Sequence, residues 1–590
     1  AQLARLRLRA DGSALAAQLD AWAALHAAEH ATREAVPAVR LDEAVPAAAA
    51  PPASPPVQFD AEAGDCRFAT GPASPTPRPW VNVLANPGFG ALVSEAGRGF
   101  TWAGNSRLHQ LTAWGNDELA DMNGERFVVQ DRRSGRCWTV GDGAAALRHA
   151  PGLTSLAQTL AGTDPRDRVA LETTWCVDAG CSVKRVRLVL RNEGRREAPL
   201  RVAALVEWLL GCLRADRAGV ATAFEPPGPA DGEPALLLAT QLDGHGGRAG
   251  QTAFRVAQRS GHPAAVLADW TCDRRELFGA GGHARLPDRL LQHAGSGLDP
   301  CAAATLSLTL AVGAAAEIVF SLGHAETAAA ATALARQAAR TPAAAAEQAA
   351  RAHWRAQAAA VQVQGPDPLF DALVNHWLPY QVLACRLWAR AGFHQVGGAY
   401  GFRDQLQDAM ALVLHNPTLL PAQLRRAAAR QYAEGDVQHW WHADTGAGPR
   451  TRFSDDRLWL PHALLHQLRH SGSAALLEAT APFLHGEALP AGAEDRYQVL
   501  QPSGPPATLY EHGARAIDRS LDSGAHGLPL MGGGDWNDGM NRVGPGGRGE
   551  SVWLAWFLCD LVRRYAPLAR ARGEHARAAR WRATAAGWRA

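Results

Sequence analysis

Charge of one sign is the first thing this chain lacks. Over 590 residues the formal net charge is only +2, which gives no general electrostatic case for nucleic acid or an anionic membrane. Arginine stands in for nearly all lysine, and alanine is abundant, both matters of composition rather than function. No run of about eighteen apolar residues occurs, and the N-terminus lacks the charged-then-apolar order of a signal peptide. The expectation is a segment that does not itself span a membrane. The nine cysteines are odd in number and scattered, with no C-x-x-C pair. That argues against a disulfide framework or a zinc site and suits a reducing, cytoplasmic compartment. Tyrosine is scarce, six against nineteen tryptophans. Indoles are good platforms for sugar rings, although many are expected in the core.

What is present is enough apolar residue, 47%, for a sizeable core, and a length that predicts two or three domains. Residues 1–45 read as a short Ala/Leu/Arg helical piece, as if cut from something longer. Residues 46–79, with PAAAAPPASPPV, read as a Pro/Ala linker that should not pack. From 80 to 325 short runs such as RFVVQDRR, RVALETTWCV, CSVKRVRLVLRNEG and AEIVFSLGH alternate or are apolar throughout. They predict a large antiparallel β-sandwich. Residues 326–366 are Ala-rich helices broken near Pro342, a helical linker. From 367 to 590 helical segments dominate, among them RDQLQDAMALVLH, PAQLRRAAARQYAEG, RLWLPHALLHQLRHSG, ALLEATAPFLHG and TLYEHGARAIDRSLDSG. Helical hairpins with aromatic-rich loops predict an (α/α)6 barrel. Too few helices are present to close it, so the barrel is expected to be incomplete.

The densest chemistry lies in GLPLMGGGDWNDGMNRVGPGGRGES, residues 527–551. Asp535, Trp536, Asn537 and Asp538 stand between runs of glycine, which suggests special backbone conformations or close approach by a ligand. An acid, hydrogen-bonding groups and an apolar plate within one turn are what a pyranose needs. Against this, Asp, Asn and Gly are ordinary turn chemistry. A helix–loop–helix calcium site is excluded, because Gly539, Met540 and Gly546 occupy positions that need an oxygen ligand, glycine and glutamate.

Four other stretches stand out. In GGAYGFRDQLQD, Arg403 is followed by Asp404 and Asp408, one helical turn apart and able to share a face. In GDVQHWWHADTGAGPRTRFSDD, His439 and His442 flank a Trp pair, followed by Arg450, Arg452, Asp455 and Asp456. H-x-x-H without a third ligand is a weak metal signal, and no metal is expected. Tyr510-Glu511-His512 opens a helix, as a capped start would. Residues 86–118 form a polar, aromatic stretch whose bulk suggests that it reaches a neighbouring surface.

Taken together, NPGFGALVSEAGRGFTWAGNSR, YGFRDQLQDAMALV, EGDVQHWWHADTGAGPRTRFSDDRLWLP, TLYEHGARAID and HGLPLMGGGDWNDGMNRVG resemble the family-94 glycoside phosphorylases. The match runs in order from about 80 to about 565. More narrowly, it resembles the phosphorylase-like region of bacterial cyclic β-1,2-glucan synthases. The resemblance implies a β-sandwich, a helical linker and an (α/α)6 barrel. It also implies an inverting phosphorylase that releases α-glucose 1-phosphate from a β-1,2-glucan. Asp538 falls on the general acid, which protonates the glycosidic oxygen while phosphate attacks the anomeric carbon from the opposite face. Arg403, Asp408 and Trp536 match positions that hold the sugar, with Asp535 a further contact or a group that orients the loop. Arg390 is the phosphate candidate within the chain. The family's main phosphate ligands, a His and a small hydroxyl residue, come from later loops.

No cofactor is implied beyond phosphate as co-substrate. The partners implied are a β-glucan oligosaccharide, phosphate and, in a homodimer, a neighbouring copy. The resemblance also implies that a longer parent chain is membrane-embedded, with this part at the cytoplasmic face of the inner membrane. Two alternatives stand beside this reading. An inverting hydrolase would need Asp408 or Glu511 as a base. A non-catalytic module would only hold glucan for a synthase.

Overall fold

The computed structural model describes residues 8, 10, 13–41, 56–71, 74–115, 124–162, 164–228, 233–244, 248–259, 269–279, 283–540, 542–544 and 546–590. The chain divides into two compact units. One comprises Ala1–Ala356, Val363–Tyr380 and Ala391–Gly397, the other Gln357–Gln362, Gln381–Arg390 and Gly398–Ala590.

The first unit is a sandwich of antiparallel sheets. Among the described residues, one sheet has ten strands. Its middle runs through Thr252–Arg259, Ala315–Ala325, Val183–Asn192, Arg168–Val177 and Leu153–Ala161. The other has nine, with Ala198–Gly211 between Pro300–Leu310 and Glu125–Asp131. Period-2 alternation sets the layers. In Leu153–Ala161, Leu156 and Leu160 are buried while Ala157, Thr159 and Ala161 face water. Ala198–Gly211 is apolar over most of its length and is buried almost throughout, as a central strand should be. Leu156, Trp175, Leu188, Trp208 and Phe320 close one continuous core. Each fully buried aliphatic side chain contributes ~1.5–3 kcal/mol relative to exposure.

Three expectations need correction here. The 46–79 linker is in part sheet. Gln58–Asp60 and Asp65–Thr70 extend the ten-stranded sheet, and Asp65 is buried where Arg67, Arg148 and Arg351 surround it. Sequence composition could not anticipate that ionic anchor. Residues 42–55, 72–73 and the start of the N-terminal piece lie outside the described residues. The 86–118 stretch is largely strand, not a projecting loop: Phe89–Ser94 and Gly99–Ala103 pair as a buried hairpin. Its tip, Asn116 to Glu118, lies outside the described residues.

The Ala-rich segment breaks where Pro342 predicts, between Ala328–Arg340 and Ala343–Ala358. It packs on the sandwich. Ala331, Ala335 and Ala338 lie against Val183, Leu236, Phe254 and Val256, the small side chains allowing close approach. Arg185 Nη1 donates to the carbonyls of Ala338 (2.8 Å) and Thr341 (3.2 Å) at the helix end, tying the helix to the sheet.

In the second unit, helices Phe402–Ala411, Leu419–Ala428, Trp459–Ser471, Leu509–Asp518, Val552–Ala571 and His575–Arg589 share one core around Leu406, Leu424, Leu464, Ile517 and Leu558. Thr508 and Ser551 cap two of them by accepting from Glu511 N and Leu554 N. Gly472 ends Trp459–Ser471 at φ 65°. The third correction falls here. Of ALLEATAPFLHG only Ala475–Glu478 is helical, one short turn, because Pro482 interrupts it and Thr480–Leu484 pairs with Pro502–Thr508. Among the described residues no helix is long and apolar enough to cross a membrane.

Candidate active site

Arg403 is the hub. It sits in the first turn of Phe402–Ala411, whose Phe402 N donates to His439 O (2.8 Å). That bond, with the Tyr400–Gly401 and Trp440–Trp441 pairing, brings the arginine to the loop after Trp441. Its Nη1 donates to Asp455 Oδ1 (2.8 Å) and Oδ2 (3.0 Å) and to the carbonyl of Asp535 (3.0 Å). Its Nη2 donates to Asp538 Oδ1 (2.6 Å). Asp456 Oδ1 lies 3.8 Å from Nε. Burial works against the guanidinium charge, but Asp455, Asp456 and Asp538 outweigh it and hold its pKa up.

The Gly-rich segment fits this hub because it lies flat on residues 452–454. Gly533 N donates to Arg452 O (3.1 Å), and both Ser454 N (3.0 Å) and Oγ (3.1 Å) donate to Gly534 O. Gly532 has φ 66°, and a Cβ there would stand 2.0 Å from Arg452 O. Only glycine satisfies both conditions.

Beyond it, Asp535 is anchored at both oxygens. Oδ1 accepts from Asn537 N (3.1 Å) and Oδ2 from the capping Ser551 Oγ (2.7 Å). Trp536 and Asp538 emerge from this fixed base with 54% and 55% of their surface open. Among the described residues the Asp538 carboxylate takes its hydrogen bond from Arg403 alone, at Oδ1, and Oδ2 has no partner. Asn541 lies outside the described residues.

Beneath the exposed pair is a buried acidic layer that the sequence reading passed over as site residues. Burial, then the charge of Asp456, pushes Asp455 up to about 6. Asp455 also accepts from Trp459 Nε1 (3.0 Å). His439 Nδ1 donates to Asp456 Oδ2 (2.7 Å), and its ring stacks on Phe453. Burial lowers the imidazole pKa, but Asp456 outweighs it and the net shift is upward. Two adjacent acids after R-x-R-F-S were the available signal.

The remaining predicted residues stand elsewhere. Asp408 is five positions beyond Arg403, roughly 140° around the helix, and so faces another way. With Asp404 it meets Arg386, whose Nε donates to Asp408 Oδ2 (3.0 Å). Burial raises Asp408 to about 6. Arg390 points its Nε to Gly398 O (2.9 Å) and its Nη1 to Leu387 O and Trp388 O (both 3.0 Å), and its guanidinium covers the Tyr400 ring. Glu511 is held by Arg515 and Arg577, and His512 is buried between Gln431 and Ala481 O.

Chemically, this is an open indole and one accessible carboxyl on an anchored loop over a buried ionic base. That combination can stack a sugar and deliver a proton. The chain is 39% identical over 523 residues to the cyclic beta-(1,2)-glucan synthase NdvB of Rhizobium meliloti (strain 1021), which covers 86% of the chain and 18% of that protein. It is 32% identical over 217 residues to the solabiose phosphorylase of Paenibacillus borealis, 36% of the chain and 24% of the relative. The chain thus spans about a quarter or less of the length of either. A bacterial glucoamylase solved with acarbose shares the fold, with a TM-score of 0.52 at 11% identity over 94% of the chain and 70% of that structure. Residues 66–341 match the family model for the glycosyl hydrolase 94 supersandwich domain and residues 353–589 the one for the catalytic domain, and on these two matches the chain belongs to the glycosyl hydrolase 94 superfamily.

Proposed function

We propose that the chain carries the phosphorylase chemistry of a β-1,2-glucan-processing enzyme, with Asp538 as general acid. The acid proton passes to the glycosidic oxygen, the C–O bond breaks, and a phosphate oxygen bonds the anomeric carbon from the opposite face. The products are α-glucose 1-phosphate and a glucan one unit shorter. Trp536 stacks the sugar, Arg403 positions Asp538, and Asp535 positions the loop without touching substrate. Asp408 holds the sugar only if it leaves Arg386, and Arg390 holds phosphate only if its guanidinium exchanges its present carbonyl partners. The linkage is taken from the similarity to the synthase, whereas a place at the cytoplasmic face of the inner membrane, as part of a longer protein, and self-pairing are taken from the family resemblance.

The observation that carries this reading is the state of the other carboxylates. An inverting hydrolase needs a second one, about 6.5–9.5 Å away, to activate water. Here Asp455 is taken by Arg403 and Trp459, Asp456 is buried with one oxygen on His439, Asp535 is taken by Ser551 and Asn537, Glu511 by two arginines and Asp408 by Arg386. Phosphate is already anionic and needs no base. The test is incubation with linear β-1,2-oligoglucan, with and without inorganic phosphate. Phosphate-dependent glucose 1-phosphate is expected. Free glucose without phosphate would establish a hydrolase, and glucan binding without product a holding module.

A further inference from the structure

The second unit holds another polar cavity, of about 530 Å3, whose lining does not include Arg403, Trp536 or Asp538. Its floor is built around Asp436, on which three guanidinia converge. Arg450 Nη2 donates to Oδ2 (2.7 Å), Arg519 Nε to Oδ1 (3.1 Å), and Arg457 Nη1 lies 3.5 Å from Oδ1. Four arginines, Arg450, Arg452, Arg457 and Arg519, line the cavity against three carboxylates, Asp436, Glu434 and Asp522, an excess of one positive charge. Glu434 and Asp522 also line the cavity, but both side chains are more than half exposed and water screens them. Arg450 is deeply buried and Arg457 largely so.

Hydroxyls of Thr451, Ser454 and Ser520 complete the lining; Ser520 Oγ accepts from Arg457 Nε (2.8 Å). Guanidinium forks and hydroxyls around an excess of positive charge suit a tetrahedral oxyanion. A neutral glucan would leave that charge unanswered. The geometry points to a second ligand site here, for the phosphate group of inorganic phosphate or of a sugar phosphate. Gly532 is on its wall, and Arg452 and Ser454, also on the wall, hold Gly533 and Gly534. An anion bound there braces the strand from which the Asp535–Asp538 turn springs. Arg452 also fastens Pro490 O and Ala493 O, beside Ala488 and Leu489 of the same lining.

The inference rests on geometry alone, independent of the reaction assigned above, and is tested by binding. Crystals soaked in tungstate, a heavy phosphate analogue, should show anomalous density among Arg450, Arg457 and Arg519. In solution, inorganic phosphate at about a hundred times its Kd should raise Tm by several degrees. In an Arg390→Met background, which removes the candidate phosphate contact of the reaction site, that rise should persist, and it should be lost when Arg452→Gln/Arg519→Gln, two positions exposed enough for the variant to fold, is added. Glucose 1-phosphate binding at least tenfold tighter than phosphate would identify a sugar phosphate as the ligand; equal binding would identify free phosphate. An empty cavity in the soaked crystal, or a shift that survives the double substitution, would overturn the inference.

Discussion

In the sandwich, Glu125 receives Lys184 Nζ (2.6 Å), Thr101 Oγ1 (2.6 Å) and Thr112 Oγ1 (2.9 Å), and all of them are buried. In the helical unit, Arg403 gathers Asp455, Asp456 and Asp538, and the last of these reaches water. Both clusters are ionic and both join distant segments. The sealed one has no face from which a substrate could be touched, so it serves the fold. The open one presents one acid and one indole from a base that cannot yield. What separates structure from chemistry here is the single member left accessible.

The largest effect expected is on rate. Asp538→Asn should lower phosphorolysis by at least the 10²–10⁴-fold typical of general acid catalysis, while glucan binding survives. Glucose 1-phosphate release and calorimetric titration with glucan check the two halves. Lost binding with little change in rate would make Asp538 a binding carboxylate. Next comes Lys184→Met, which leaves Glu125 charged and unpaired. The variant should lose about 3–5 kcal/mol of stability in denaturant unfolding, with activity per folded molecule unchanged. A change in glucan affinity there would break the contrast between the clusters.

Trp536→Ala should weaken glucan binding about tenfold, ~1.4 kcal/mol, and move stability by no more than about 0.5 kcal/mol, because the indole is exposed. The smallest effect is in pH dependence. Asp455 is held near 6 against about 3.9 when unfolded, so the folded state keeps its proton longer. Its contribution to stability is present at low pH and is lost as pH rises from about 4 to 6. Relative to Asp455→Asn, the wild type should therefore lose Tm over that window. Parallel Tm curves for the two proteins would show that the buried acid is not raised.

Much of the helical unit was legible because its cues are local. Thr508, Ser551 and Gly472 mark helix ends, Pro342 breaks the Ala-rich run, and the Asp-Trp-Asn-Asp segment announces itself between glycines. The strand Asp65–Thr70 was not legible, since its anchor combines Arg148 and Arg351 with a buried Asp. Nor was the true base of the site. Asp455 and Asp456 gain their meaning from Arg403, about fifty residues earlier, and Asp535 from Ser551.

By itself, then, the sequence determined the two architectures, the glycine-framed turn and the acid it carries, because periodicity, capping and turn chemistry act over a few residues. Only the tertiary structure decided which carboxylates are tied down and which one faces solvent. It turned Asp408 toward Arg386 and Arg390 toward carbonyls, and it gathered Arg450, Arg457 and Arg519 around Asp436. Electrostatic roles depend on burial and on partners brought from far along the chain, and no local pattern encodes either.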